Sequence, residues 1–160
     1  MEENKKSTIV VFSGDLDKVY ASFIIATTAA SMGKEVSMFF TFWGLNVLRK
    51  KRFLFKAPHF LQKMFGVLNR GGAERLPLSK FHLFGLGTFF MKFLMKKYQM
   101  DEITKMLALS KELGIKIIAC TTSIQVMGLR KEDFIPEVDE LAGASTYLND
   151  AFKGNLNLFI

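Results

Sequence analysis

One cysteine, Cys120, stands among the 160 residues of this chain. It ends the apolar run Ile115-Lys116-Ile117-Ile118-Ala119-Cys120, which reads as a buried strand introduced by the helix-ending Gly114. Thr121, Thr122 and Ser123 follow as candidate helix N-caps, then the short apolar turn Ile124-Gln125-Val126-Met127, closed by Gly128. A thiol at such a junction faces the carboxyl edge of a sheet, where open parallel sheets bind ligands. It also lies at a helix N-terminus, whose N–H groups and dipole favour the thiolate. The competing reading is a small buried core residue, a common fate of free cysteine. Position alone leaves both readings open.

A lone thiol narrows the chemistry. Without C-x-x-C, a dithiol cycle within one chain is excluded. The two histidines, His59 and His82, have no cysteine near them, so no zinc spacing is present, and neither metal nor cofactor is expected. Single-thiol work remains: carrying sulfur as a persulfide, sensing oxidants, or pairing with another chain. An unperturbed thiol, with a pKa of about 8.5, is only a few per cent thiolate at pH 7, so a carrier needs hydrogen bonds or charge to lower it. No His or Lys lies beside Cys120 in sequence. Any base must therefore come from another element or subunit.

The elements that would position this thiol alternate strand and helix. Thr8 to Phe12 reads as a strand rich in β-branched residues, followed by the turn Ser13-Gly14-Asp15. Asp17 to Met32 is an Ala-rich helix ending at Gly33, and Glu35 to Phe40 is a second strand, followed by Phe42-Trp43-Gly44. Asp101 to Leu113 carries the apolar face of a helix. Val138 to Leu141 reads as a short strand, Ala144 to Phe152 as a helix, and Asn155 to Ile160 as an alternating final strand. This order predicts an α/β fold, a three-layer α/β/α sandwich around a mostly parallel sheet of about five strands, with right-handed crossovers. Three turns should then meet at its carboxyl edge: Ser13-Gly14-Asp15, Phe42-Trp43-Gly44 and Cys120-Thr121-Thr122-Ser123. Gly14, Asp15, Trp43, Gly44, Thr121, Thr122 and Ser123 are accordingly expected to line a ligand pocket or support the thiolate. The first turn is neither G-x-G-x-x-G nor a Walker loop, so Asp15 and Asp17 read first as capping residues. Trp43 either walls a pocket or packs.

Charge divides the chain more sharply than the total of +7 suggests. Residues 49–99 hold twelve Lys+Arg and one acid, Glu74, with nine of the seventeen phenylalanines. The rest of the chain is net acidic. The basic stretch is expected to be a Phe-rich helical insert after the second strand, within a single domain spanning 1–160. It has four readings: aromatics buried in the core or a subunit interface, attachment to an anionic membrane surface, docking of an acidic protein, and nucleic-acid binding. The last is the weakest, as no recognised motif accompanies the charge. So much apolar residue in one excursion also predicts a homo-oligomer, with contacts between Phe53 and Met95. The longest apolar stretch, Phe81 to Met95, is short of a bilayer span and contains Lys92. Residues 1–7 are polar, unlike a signal peptide. A cytoplasmic protein, soluble or peripherally attached to a membrane, is expected.

The segment Ile117-Ile118-Ala119-Cys120-Thr121-Thr122-Ser123, continued by Val126-Met127-Gly128-Leu129, resembles the DsrE-like family of sulfur-relay proteins. Ser13-Gly14-Asp15 before an Ala-rich helix, Thr41-Phe42-Trp43-Gly44-Leu45 and Gly143-Ala144-Ser145-Thr146-Tyr147-Leu148 add to the likeness, which runs from Thr8 to Ile160. More narrowly, the chain resembles a larger branch with a basic, apolar insert after the Phe-Trp-Gly turn. The resemblance implies an oligomerising α/β/α domain whose strand-end cysteine, here Cys120, accepts sulfur. It implies a TusA-like sulfur carrier and rhodanese-like donors as partners. The function expected is therefore a sulfurtransferase or sulfur carrier. The alternative is a non-catalytic module that anchors a complex through residues 49–99.

Overall fold

The computed structural model describes residues 6–51, 59, 60, 62, 64, 69 and 71–160. Five parallel strands form: β1 (Lys6–Val11), β2 (Glu35–Phe40) and β3 (Lys116–Cys120), which are rich in β-branched or aromatic residues, and β4 (Glu140–Ala142) and β5 (Gly154–Phe159). Their order in the sheet is β4-β3-β2-β1-β5. The described helices are α1 (Leu16–Ser31), α2 (Leu86–Lys97), α3 (Ile103–Glu112), α4 (Thr121–Val126) and α5 (Ala144–Ala151). Gly33 and Gly114 end α1 and α3 at φ +76° and +73°, a left-handed turn that costs other residues energy, and each releases the chain into a strand.

The two faces of the sheet differ in thickness. On one, Ile9, Val11, Met38, Phe40, Ile117 and Ala119 meet Val19, Phe23 and Ala26 of α1 and Met106 and Leu107 of α3. This is the main core. The opposite face holds a smaller layer of Val10, Phe39, Ile118, Cys120 and Ala142, with Tyr147 of α5 packed against it. Alternation along the strands enforces the division, because neighbouring residues point to opposite faces.

The expected five-stranded α/β/α architecture is therefore present, and element ends move by one or two residues. β4 starts at Glu140, because Asp139 is used at the strand's entrance: its carboxylate accepts the Ile117 N–H at 2.8 Å and its own N–H donates to the Ile117 carbonyl. β1 starts at Lys6, two residues before the expected Thr8. α4 starts at Thr121, so Cys120 itself (φ −69°, ψ 117°) is the N-cap. Thr121, Thr122 and Ser123 sit inside the first turn and do not cap it. Pairing of Cys120 with Ala142 keeps β3 extended to its last residue, leaving no linker before the helix.

The insert enters through a 3₁₀ turn, Phe42–Leu48, and returns through α2. Of the stretch 53–95 expected to make subunit contacts, residues 53–58, 61, 63, 65–68 and 70 lie outside the described residues. Arg52, in the first basic run, does too. α2 packs little: Thr88 alone is buried, its hydroxyl accepting the Leu78 N–H at 3.2 Å, while Leu86, Phe89, Phe90, Phe93 and Leu94 are exposed. No helix among the described residues is long and apolar enough to cross a membrane.

Candidate functional site

Parallel register brings the three turns to one edge. Phe40 of β2 pairs with Val11 on one side and Ala119 on the other, so the residues that follow these strands emerge together. Thr41 thus leaves β2 beside Cys120. Its N–H donates to the Val11 carbonyl at 3.1 Å. Gly44 then folds back over the end of β1, its N–H shared between the carbonyls of Phe12 and Thr41, both at 2.9 Å. A Cβ on Gly44 would stand 2.0 Å from the Val11 oxygen, so only glycine fits this approach. Gly14 packs on the backbone of Trp43 in the same way but less tightly, its Cβ position lying 2.8 Å from the Trp43 oxygen.

Cys120 is buried, 6 % exposed, at the edge of the thin layer. Two groups of donors favour its thiolate. The helix supplies the N–H groups of Thr122 and Ser123, and the side chains supply the hydroxyls of Ser123 and Thr41. The two hydroxyl oxygens are 2.7 Å apart. Burial pushes the thiol up, but hydrogen bonding from these groups outweighs it and holds the thiol below its ordinary range. The effect comes from dipoles and not from a basic side chain.

The other expected site residues fall into three groups. Ser123 reaches the sulfur through both backbone and side chain, and Thr122 through its backbone. Thr121 borders Gly143, whose Cβ position is 3.9 Å from the Thr121 hydroxyl oxygen. Asp15 is turned to its own loop: it accepts the Ser13 hydroxyl at 3.0 Å and pairs with Lys18 at 2.8 Å. Asp17, the other capping candidate, instead accepts the N–H and hydroxyl of Ser79 in the returning insert. Trp43 is half-exposed, next to Phe42, which occupies φ +44°. Phe42 packs on Phe12 at 5.6 Å between ring centroids, and Phe12 stacks on Phe159 at 5.7 Å. An aromatic tier therefore borders this edge.

Thr41 was not among the expected site residues. Its signal in the sequence was its place directly after a strand and before the Phe-Trp-Gly turn. A cavity of about 260 Å³ lies elsewhere, between the insert and α3, lined by Arg49, Lys51, Gly72, Glu74, Leu107 and Glu137 among others. None of the expected site residues lines it. Among the described residues, no three His, Cys, Asp or Glu side chains cluster as metal ligands.

The chain is thus a parallel α/β/α domain whose one cysteine ends a strand and caps a helix. The sequence places the chain more closely: residues 3–159 match the DsrE/DsrF/DrsH-like family, and the chain belongs to it. It is 41 % identical over 159 residues to the uncharacterised protein YrkE of Bacillus subtilis, and 35 % identical over 167 residues to the sulfur carrier protein DsrE2 of Allochromatium vinosum. Each alignment covers 99 % of both chains. Among solved structures, the ychN protein of E. coli matches with a TM-score of 0.57 at 9 % identity, covering 98 % of this chain and 99 % of that one. MTH1491 of Methanobacterium thermoautotrophicum, a protein of unknown function, matches at 0.55 and 11 %, covering 97 % and 98 %. These two likenesses concern the fold alone.

Proposed function

We propose that this protein carries sulfane sulfur as a persulfide on Cys120 and passes it to a partner thiol. The observation that supports this most is the position of the only cysteine, at the end of β3 and the start of a helix, in a chain related to a sulfur carrier. The Cys120 thiolate attacks the outer sulfur of a donor persulfide, R–S–SH. A bond forms between Sγ and that sulfur, the donor's S–S bond breaks, and the electron pair leaves on the donor's inner sulfur as R–S⁻. Cys120 is left as Cys–S–SH, and charge and oxidation level balance. The second transfer repeats the step with a partner thiolate as attacker. One cysteine suffices because the other thiol belongs to the partner. Rhodanese-like donors and a TusA-like carrier fit those two roles.

Intact-mass analysis tests this. Incubation with glutathione persulfide adds one sulfur to the wild type, removable by reductant, and none to Cys120→Ala. No added sulfur on the wild type refutes the proposal.

A second reading comes from α2. Its exposed Leu86, Phe89, Phe90, Phe93 and Leu94, with Lys92, Lys96 and Lys97 on the same short helix, suit either self-association or an anionic surface. In this reading the insert anchors the protein, as a homo-oligomer or at a membrane, whatever Cys120 does. Sedimentation with anionic lipid vesicles at low and high salt, beside light scattering without lipid, separates the two anchors. A monomer that ignores vesicles rules out both.

A further inference from the structure

Thr41 is fixed from three sides. Its N–H is bonded to Val11, its carbonyl accepts the Gly44 N–H, and its hydroxyl oxygen lies 2.7 Å from that of Ser123. Ser123 is itself 1 % exposed and Thr41 is half-buried, so this contact is partly shielded from water. Each hydroxyl carries one proton. Their mutual bond consumes one of the two, which leaves the other proton for a third atom. The Cys120 sulfur is the neighbour they share: Thr41 follows Phe40, which pairs with Ala119, and Ser123 lies in the first turn of the helix that Cys120 caps.

We propose that Thr41 and Ser123 form a two-hydroxyl cradle that orients and stabilises the Cys120 thiolate, with Thr41 acting as a positioning residue from the neighbouring strand. The proposal rests on the reading of Cys120 as the sulfur acceptor. It assigns a task to a residue 79 positions away in sequence. Hydroxyl rotors suit sulfur relay because they follow the negative charge. While Sγ is the thiolate, the hydroxyl whose proton is free donates to it. Once Sγ is bonded to the incoming sulfur and the proton of that sulfur has passed to the leaving R–S⁻, the same rotor can turn to the outer, anionic sulfur. Neither hydroxyl has to gain or lose a proton.

Among the described residues, no charged side chain is a cause of the thiol's shift. The apolar layer around Cys120 is formed by Val10, Phe39, Ile118 and Ala142. Tyr147 of α5 packs on that layer and lies 3.5 Å from the Thr8 hydroxyl. Lys116 of β3 and Glu140 of β4 pair with each other at 2.7 Å, and Asp150 of α5 pairs with Lys6 at 2.6 Å. On β2, Glu35 stands at the far end of the strand from Thr41, and neither α4 nor the 42–48 turn carries an ionisable side chain.

The test is the rate of Cys120 alkylation by iodoacetamide against pH, on the full chain, for wild type, Thr41→Val, Thr41→Ser and Ser123→Ala. Sulfur uptake from glutathione persulfide is followed in parallel by intact mass. Thr41→Val keeps the shape and removes the donor, so alkylation at pH 7 should slow about tenfold and meet the wild-type rate at high pH. Thr41→Ser should return it to within about twofold, and Ser123→Ala should slow it as Thr41→Val does. Rate profiles of Thr41→Val and Ser123→Ala that superimpose on the wild type overturn the cradle. If Thr41→Val unfolds, Ser123→Ala decides. The two ideas fail separately: a wild type that takes up no sulfur sinks the acceptor reading, whereas uptake with superimposed profiles sinks the cradle alone.

Discussion

Replacing Gly44 by alanine probes the contact on which the site's geometry depends. The added methyl would stand 2.0 Å from the Val11 oxygen and 2.9 Å from its carbonyl carbon. Both are backbone atoms of β1, held between β2 and β5, so no side-chain rotation relieves the clash. The turn must retreat by more than 1 Å, which stretches the bonds from Gly44 N–H to Phe12 and Thr41. Overpacking costs about 1–3 kcal/mol and a lost backbone hydrogen bond about 1 kcal/mol. A loss of roughly 3 kcal/mol is therefore expected, lowering the melting temperature by about 6–12 °C for a chain of this size. Two glycines calibrate the scale. Gly14→Ala meets the Trp43 oxygen at 2.8 Å and should cost about 1–2 kcal/mol. Gly33→Ala meets no atom within 4 Å, and its φ of +76° leaves about 1 kcal/mol of backbone strain. Urea unfolding of the three variants should rank them Gly44, Gly14, Gly33 in decreasing cost. Because Thr41 moves with the turn, Gly44→Ala should also slow Cys120 alkylation at neutral pH. A Gly44→Ala protein no less stable than Gly33→Ala would refute this account of the turn.

Cys120→Ala should fold, since loss of a small side chain leaves little cavity. Its stability relative to wild type should depend on pH. The native thiol lies below its ordinary range, so the wild type's advantage is full above about pH 8.5, where the unfolded thiol also ionises, and is lost as pH falls through the native value. A difference in urea midpoint that does not change between about pH 6 and pH 9.5 would contradict the thiolate assignment. Asp17 behaves in the same sense at acid pH. Burial raises its carboxyl, but the bonds from the Ser79 hydroxyl and N–H outweigh that and lower it. Asp17→Asn should thus destabilise the protein at neutral pH by less than about 1 kcal/mol, as befits an exposed contact, and the difference should close as pH falls below the native carboxyl's value. Equal loss at both pH values in thermal melts would count against the tether. Finally, Phe89→Glu with Phe93→Glu should leave the melting temperature nearly unchanged, because neither ring is buried, while reducing any assembly seen by light scattering. A large fall in melting temperature would mean that α2 belongs to the core.

β1, β2 and β3 were legible because each is a run rich in β-branched or aromatic residues near turn signals, and β5 because its apolar residues alternate with asparagines. β2, Glu35–Phe40, lies where the pattern places it. The sheet order was not, because a crossover helix links parallel strands without naming the strand that becomes a neighbour. Nor was the capping residue: three hydroxyl residues in a row each satisfy the N-cap preference, and only the pairing of Cys120 with Ala142 settles the matter. Thr41 illustrates the deeper limit. A threonine after a strand is unremarkable in sequence, and its bond to Ser123 arises from the register of β2 against β3. The insert's apolar content was plain, but an exposed face such as that of α2 is defined by what it fails to pack against, which composition does not reveal.

The unequal faces of the sheet let a strand-end thiol and a well-packed core share one small domain. Most buried apolar volume lies between the sheet and helices α1 and α3, where Phe23, Phe40, Ile9, Met38 and Ile117 are fully enclosed. Area buried there sets stability. The thiol is on the other face, in a layer of five residues at the sheet's carboxyl edge. Strand alternation makes this separation automatic: Ala119 points into the main core, and Cys120, one residue later, points away from it. Chemistry at Cys120 can then enlarge the sulfur by one atom without pressing on the main core. A thiol at position 119 would face the main core and have no such freedom. A five-residue strand ending at Cys120, and not one residue earlier, therefore places the thiol in the layer that can yield.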